Sequence, residues 1–146
     1  MDIFAYLKDD HGKQRGLSAG LLDTSGDSAE RRRLFDALLR EVEAHAAAEE
    51  QTLYSELIAH EEGQEKARHS IAEHQEAATL LTELGELDMS SGGWLNKFKR
   101  FQEDLEHHLA EEEEEVFELA GRLFGEEKAD ELGQAFDKAK QQQLSK

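Results

Sequence analysis

Apolar residues recur along most of this chain at intervals of three and four, the spacing that lines up one face of an α-helix. One series runs Leu34, Leu38, Val42 and resumes at Leu53 and Leu57; another runs Phe98, Phe101, Leu105 and resumes at Val116, Leu119 and Leu123. The periodic segments are separated by runs that stop helices: DTSGD at 23–27, Gly63, MSSGGW at 89–94 and Gly125. The pattern therefore predicts helices over about 2–23, 28–61, 65–87, 92–124 and 126–141. Short connections between long helices make successive helices antiparallel neighbours. The expected fold is all-α: an up-down-up-down antiparallel four-helix bundle over about 2–124, with a short C-terminal fifth helix over about 126–141 that packs outside it or mediates contacts. All 146 residues are expected to form one domain.

Both long series are interrupted by the same two residue types. Where the period requires further apolar residues, the second helix has His45 and Glu49, and the fourth has His108 and Glu112. The third helix presents Ala67, Ile71, His74, Ala78, Leu81 and Leu84 on its inward side, and the first presents Phe4, Leu7, His11, Ser18 and Leu21. Four histidines and two glutamates are thus predicted to face inward. His107 falls instead among Arg100, Asp104, Glu111, Glu114 and Glu115, and His69 among Lys66, Glu73 and Glu76, so both belong to the water face. His60 lies about 15 Å along the helix axis from Glu49, too far to share a site with it. In the run Glu111 to Glu115, only Glu112 is predicted to turn inward. Glu113 is the alternative, in a poorer position on the stripe.

An internal repeat underlies the pattern. Adding 63 to the residue number carries His11 onto His74, His45 onto His108, Glu49 onto Glu112, Leu53 onto Val116 and Tyr54 onto Phe117. The two helix pairs read as copies, which gives the fold a pseudo-two-fold axis and any site on it matching ligands from each half.

Composition narrows the chemistry. There are 34 acidic residues against 17 basic ones, so a His-x-x-x-Glu pair means little alone; its position on an apolar stripe is what gives it weight. The net charge of −17 repels phosphate backbones and anionic lipid, and makes cations the natural counter-species. The absence of cysteine excludes thiolate catalysis and iron–sulfur ligation. The N-terminal MDIFAYLKDD carries acids where a signal peptide needs bases, and no apolar run is long enough for a membrane span, so a cytoplasmic protein is expected. Buried glutamates need partners, and no lysine or arginine occupies the four stripes. Two solutions remain: a metal held by histidine and carboxylate, or a metal-free network in which histidines give protons to the carboxylates.

The segments IFAYLKDDH, HAAAEEQTLY, AEHQEAATLL, HHLAEEEEEVF and GEEKADELGQAFDKAK together resemble the haemerythrin-like HHE cation-binding domain family over nearly the whole chain. The resemblance implies a non-haem di-iron centre with His11 and His45 on one iron, His74 and His108 on the other, and Glu49 and Glu112 bridging. It implies two iron ions joined by an oxo, hydroxo or water bridge, with zinc or manganese as possible substitutes. The implied function is to bind or react with dioxygen, peroxide or nitric oxide. An iron-storage or iron-responsive module without turnover is the second reading, and a structural bundle with an acidic docking face the third. Oxygen-carrying haemerythrins place a histidine four residues before the third-helix ligand, where this chain has Ser70. One histidine fewer leaves a more open site, which favours sensing or peroxide and nitric-oxide handling over oxygen carriage.

Gly12, Gly16 and Gly20 recur on the first helix directly after His11, each costing about 1 kcal/mol relative to alanine. Close approach of a neighbouring helix is one explanation, and a deliberately loose first helix is the other.

Overall fold

The computed structural model describes residues 1–146 and contains five helices and no strand. Helix α1 spans Ile3–Leu22. Helix α2 runs from Ala29–Glu49 through a π-helical turn, Glu50–Tyr54, into Ser55–Ile58. Helix α3 spans Gln64–Glu86 after a single 3-10 turn at Glu61–Gly63. Helix α4 runs from Gly92–Glu111 through a second π-helical turn, Glu112–Val116, into Phe117–Leu123, and α5 spans Glu126–Leu144. The starts are set by short polar side chains. Asp2, Ser28 and Ser91 accept hydrogen bonds from the backbone N–H groups of Ala5, Arg31 and Gly93, which satisfies donors that a helix leaves open at its first turn. Gly26, with φ of 61°, turns the chain between α1 and α2 in the left-handed region that favours glycine.

Two apolar clusters fill the interior. One joins Ile3 and Leu7 of α1 to Leu53, Tyr54 and Leu57 of α2, Ala67 of α3 and Val116, Phe117 and Ala120 of α4. The other joins Leu21 of α1 to Leu34, Phe35 and Leu38 of α2, Leu81 and Leu84 of α3 and Trp94, Phe98, Phe101 and Leu105 of α4. Each of α1 to α4 gives one end to each cluster, α5 joins only the first, and the inward histidines and glutamates occupy the mid-helix level between. Buried Arg31 closes the second end: it donates to Thr24 and to the Met89 carbonyl, and its guanidinium lies 4.7 Å from the Trp94 ring centroid.

Three expectations need correction. Helix α3 turns Ala77 inward and leaves Ala78 exposed, so its inner face runs His74, Ala77, Leu81, Leu84. Helix α5 is longer than expected and is well anchored on α1 and α2: Leu132, Phe136 and Ala139 are buried, and a Cβ at Gly133 would lie 2.5 Å from the Met1 carbonyl oxygen. Finally, the four stripes predict no buried ion pair, yet α5 supplies one from outside them. Lys140, buried, donates to Asp10 at 2.7 Å and to Glu41 at 2.6 Å.

Candidate metal centre

His11, His45, Glu49 and Glu112 form one group whose ligand atoms all lie within 4.8 Å of one another, and Glu49, His74, His108 and Glu112 form a second. Both glutamates belong to both groups. The four-residue spacing within α2 and within α4 sets each glutamate one helical turn beyond its histidine, facing the interior. The π-helical turns begin at Glu50 and at Glu112. The wider turn in α2 sets adjacent Leu53 and Tyr54 so that both are fully buried. The Tyr54 hydroxyl donates to Glu112, a contact that apolar periodicity alone does not single out.

Each histidine presents its two nitrogens to different surroundings. At Nδ1 every one meets a carboxylate: His11 meets Glu113 at 2.7 Å, His45 meets Asp10 at 2.8 Å, His74 meets Glu50 at 2.8 Å and His108 meets Glu73 at 2.7 Å. An Nδ1–H given to a carboxylate fixes the ring and leaves the Nε2 lone pair pointing inward, the state a metal ligand needs. The stripes do not single out these four carboxylates. Glu113, expected in water with the rest of the run, is 26% exposed and is also held by Arg15 at 3.0 Å. Yet the offset of 63 carries Asp10 onto Glu73 and Glu50 onto Glu113, so the supporting pairs obey the same repeat as the histidines.

On the inner side the contacts are looser. His45 Nε2 lies 3.3 Å from Glu49, His74 Nε2 3.0 Å from Glu49, and His108 Nε2 3.8 Å from Glu112, while His11 Nε2 makes a 2.9 Å contact with Glu112. Both Glu49 oxygens, His45 Nε2 and His74 Nε2 are buried without a hydrogen-bond partner. Unpartnered buried polar atoms are rare and costly, and four that converge mark a place where a cation fits. Imidazole nitrogen with carboxylate oxygen suits first-row metals such as iron, zinc and manganese.

The electrostatics agree. Burial alone would lower His45, but Glu49 and Asp10 on either side raise it to about 10. Burial likewise opposes a rise at His74, and Glu49 and Glu50 carry it to about 9; His11 is raised by Glu112 and Glu113 against the same opposition. Burial opposes ionisation of Glu49 too, but His45 and His74 hold its carboxyl well below the usual range. Glu112 moves the other way, raised by burial and by the neighbouring Glu49 charge. Without a metal the pocket therefore keeps its carboxylate charge by keeping protons on its histidines.

The remaining histidines lie outside this layer. His107 is 74% exposed, contacts Glu111 and joins neither group. His69, half exposed, forms a surface cluster with Glu73 and Glu111, and His60 pairs with Glu56 beyond the end of α2. Ser70 is buried on α3. A cavity of about 130 Å³ opens onto the layer, lined by His45, His74 and His108 together with Gln14 and Ala77.

Residues 2–120 match the family model described as the Hemerythrin HHE cation binding domain. Among solved structures, the chain is similar to the crystal structure of a hemerythrin HHE cation binding domain-containing protein from Mycobacterium kansasii. The TM-score is 0.90 at 25% sequence identity, over 99% of this chain and 88% of that one. A comparison with curated proteins gives no match.

Proposed function

The chain belongs to the hemerythrin HHE cation-binding domain family, and from that premise we propose that it holds two iron ions and uses them to bind or react with dioxygen, peroxide or nitric oxide. The proposed ligands are His11 and His45 for one iron, His74 and His108 for the other, and Glu49 and Glu112 for both. The observation that carries this reading is the pair of four-residue groups sharing Glu49 and Glu112, with unpartnered buried atoms at their centre. We place the whole chain in a single domain whose first four helices run up-down-up-down. The support is that each helix contributes opposite ends to the two apolar clusters.

When bound, a pair of irons supplies redox-active, Lewis-acidic positions at which a small oxidant can be held. The protein does the rest. Asp10, Glu50, Glu73 and Glu113 hold the four rings by their Nδ1–H groups and raise the basicity of the opposite nitrogen. Tyr54 fixes one oxygen of Glu112, and the apolar clusters above and below close the layer at its two ends. The six protein ligands would hold such a pair without enclosing it, and the adjoining cavity would give small molecules room beside it.

The test is metal analysis with an optical spectrum on protein loaded with ferrous iron and then oxidised in air. Two irons per chain and the near-ultraviolet absorption of a bridged ferric pair are expected. Absence of bound iron ends the reading. Titration of the oxidised protein with hydrogen peroxide, and of the re-reduced protein with nitric oxide, then separates a reactive centre, which binds or consumes them at a fixed ratio to the iron pair, from an iron store, which does not.

A further inference from the structure

One polar side chain at the cavity has no part in holding the rings. Gln14 sits three residues after His11 on the inner face of α1, is 1% exposed, and its amide Nε2 has no hydrogen-bond partner. It lines the same cavity of about 130 Å³ as His45, His74 and His108. The repeat makes the position unusual: the offset of 63 pairs Gln14 with Ala77, which lines this cavity too. Ligands and supporting carboxylates are alike in type in the two halves, whereas here one half offers a methyl group and the other an amide. The small residue leaves space, and the amide lies beside it with its nitrogen unpartnered. A buried amide without a partner costs the fold stability, and sites that carry such a cost are characteristically functional.

Resting on the di-iron reading above, we propose that Gln14 is the specificity-determining residue of this cavity: its amide N–H donates a hydrogen bond to the outer atom of a peroxide held there. An N–H donor discriminates among the three candidate oxidants. Peroxide oxygens are good acceptors, while free dioxygen and free nitric oxide accept weakly. The cavity is also lined by Glu73, Glu76 and Asp104, whose charge disfavours free anions, so hydrogen peroxide enters as the neutral molecule. An N–H donor gains most from a ligand that carries negative charge, as hydrogen bonds to charged groups do, which is why an anionic probe reports on it.

The experiment compares wild type with Gln14→Met, which keeps the length of the side chain and removes the donor. Azide serves as a non-reacting anionic probe and nitric oxide as the neutral control, both followed by optical titration of iron-loaded protein. Gln14→Met is expected to weaken azide about tenfold, the usual scale for one hydrogen bond to a charged group, and to leave nitric oxide affinity within about twofold. Iron content should stay at the wild-type value, and the melting temperature of the metal-free variant should hold or rise. Three results overturn the proposal: unchanged azide affinity, equal weakening of azide and nitric oxide, or a lower metal-free melting temperature, which marks a packing role. Wild-type protein that takes up no iron refutes the di-iron reading, whereas two bound irons with azide affinity indifferent to position 14 refute this inference alone.

Discussion

Glu112 and His107 sit five residues apart in one acidic run, yet one is buried between two groups of histidines and the other is 74% exposed. Replacing Glu112 by alanine removes a carboxylate common to both groups, so Glu112→Ala is expected to lose both metals. His107→Ala is expected to retain them. Metal content of the purified variants decides, and a result in which His107→Ala strips the metal while His108→Ala spares it would put the register of α4 in error. The inward histidines and glutamates could be read from the sequence because each interrupts an apolar series, and such a series leaves few places for a charge. Asp10, Glu50, Glu73 and Glu113 could not be read that way. Acids make up 34 of 146 residues, so one more beside a histidine carries no signal on its own. The repeat did hold that signal, since the same offset that relates the histidines relates these carboxylates, but only when extended one residue before the first histidine and one after the first glutamate.

At the level of helices, boundaries were legible because stop signals coincide with breaks in periodicity, while the docking of α5 was not. Its buried face is short, and Lys140 within it looks like any surface lysine until the fold places it between Asp10 and Glu41. Removing one member of a buried ion cluster leaves the others uncompensated. Lys140→Met is therefore expected to cost about 3–5 kcal/mol in chemical denaturation, and adding Asp10→Asn should recover part of that loss, because the two positions share one interaction. A loss that is simply additive in the double variant would remove Asp10 from the explanation. The glycines of α1 divide. A Cβ added at Gly20 would meet the Leu34 side chain at 3.4 Å, but one added at Gly12 or Gly16 would find nothing within 4 Å. Close helix approach therefore does not explain those two, and a looser α1 remains. Gly12→Ala and Gly16→Ala are each expected to stabilise the protein by up to about 1 kcal/mol and to slow amide exchange in α1 of the metal-free form. Protection of α1 and α2 that is already equal in the wild type would end the idea of a loose first helix.

For the molecule as a whole, the charge stored in the central layer links stability to pH differently with and without metal. In the metal-free protein His45 at about 10 and His74 at about 9 stand above the ordinary histidine value of 6.5. A group whose pKa is raised by folding contributes stability that is complete below its unfolded value and is lost as pH rises through its folded value. The contribution of these two is thus full below about pH 6.5 and fades toward pH 9–10, at up to about 1.4 kcal/mol per pH unit for each proton. Glu49, held well below the ordinary glutamate value of 4.5, contributes in the opposite window: its share is present above about 4.5 and is lost on acidification. Metal-free protein should accordingly be most stable between about pH 4.5 and 6.5 and weaken steadily toward alkaline pH. A bound cation takes the place of those protons, so its uptake at neutral pH releases them, and the stability of the loaded form should not follow the same decline. Urea midpoints measured at pH 6, 7.5 and 9 on metal-free and iron-loaded protein should therefore diverge as pH rises. Proton release into a weak buffer should accompany loading at pH 7 and vanish in Glu112→Ala, which has no site to load. Metal-free midpoints that stay level from pH 6 to 9 would mean that the histidines of this layer are neutral without metal, and that Glu49 is kept in the core by something other than their charge.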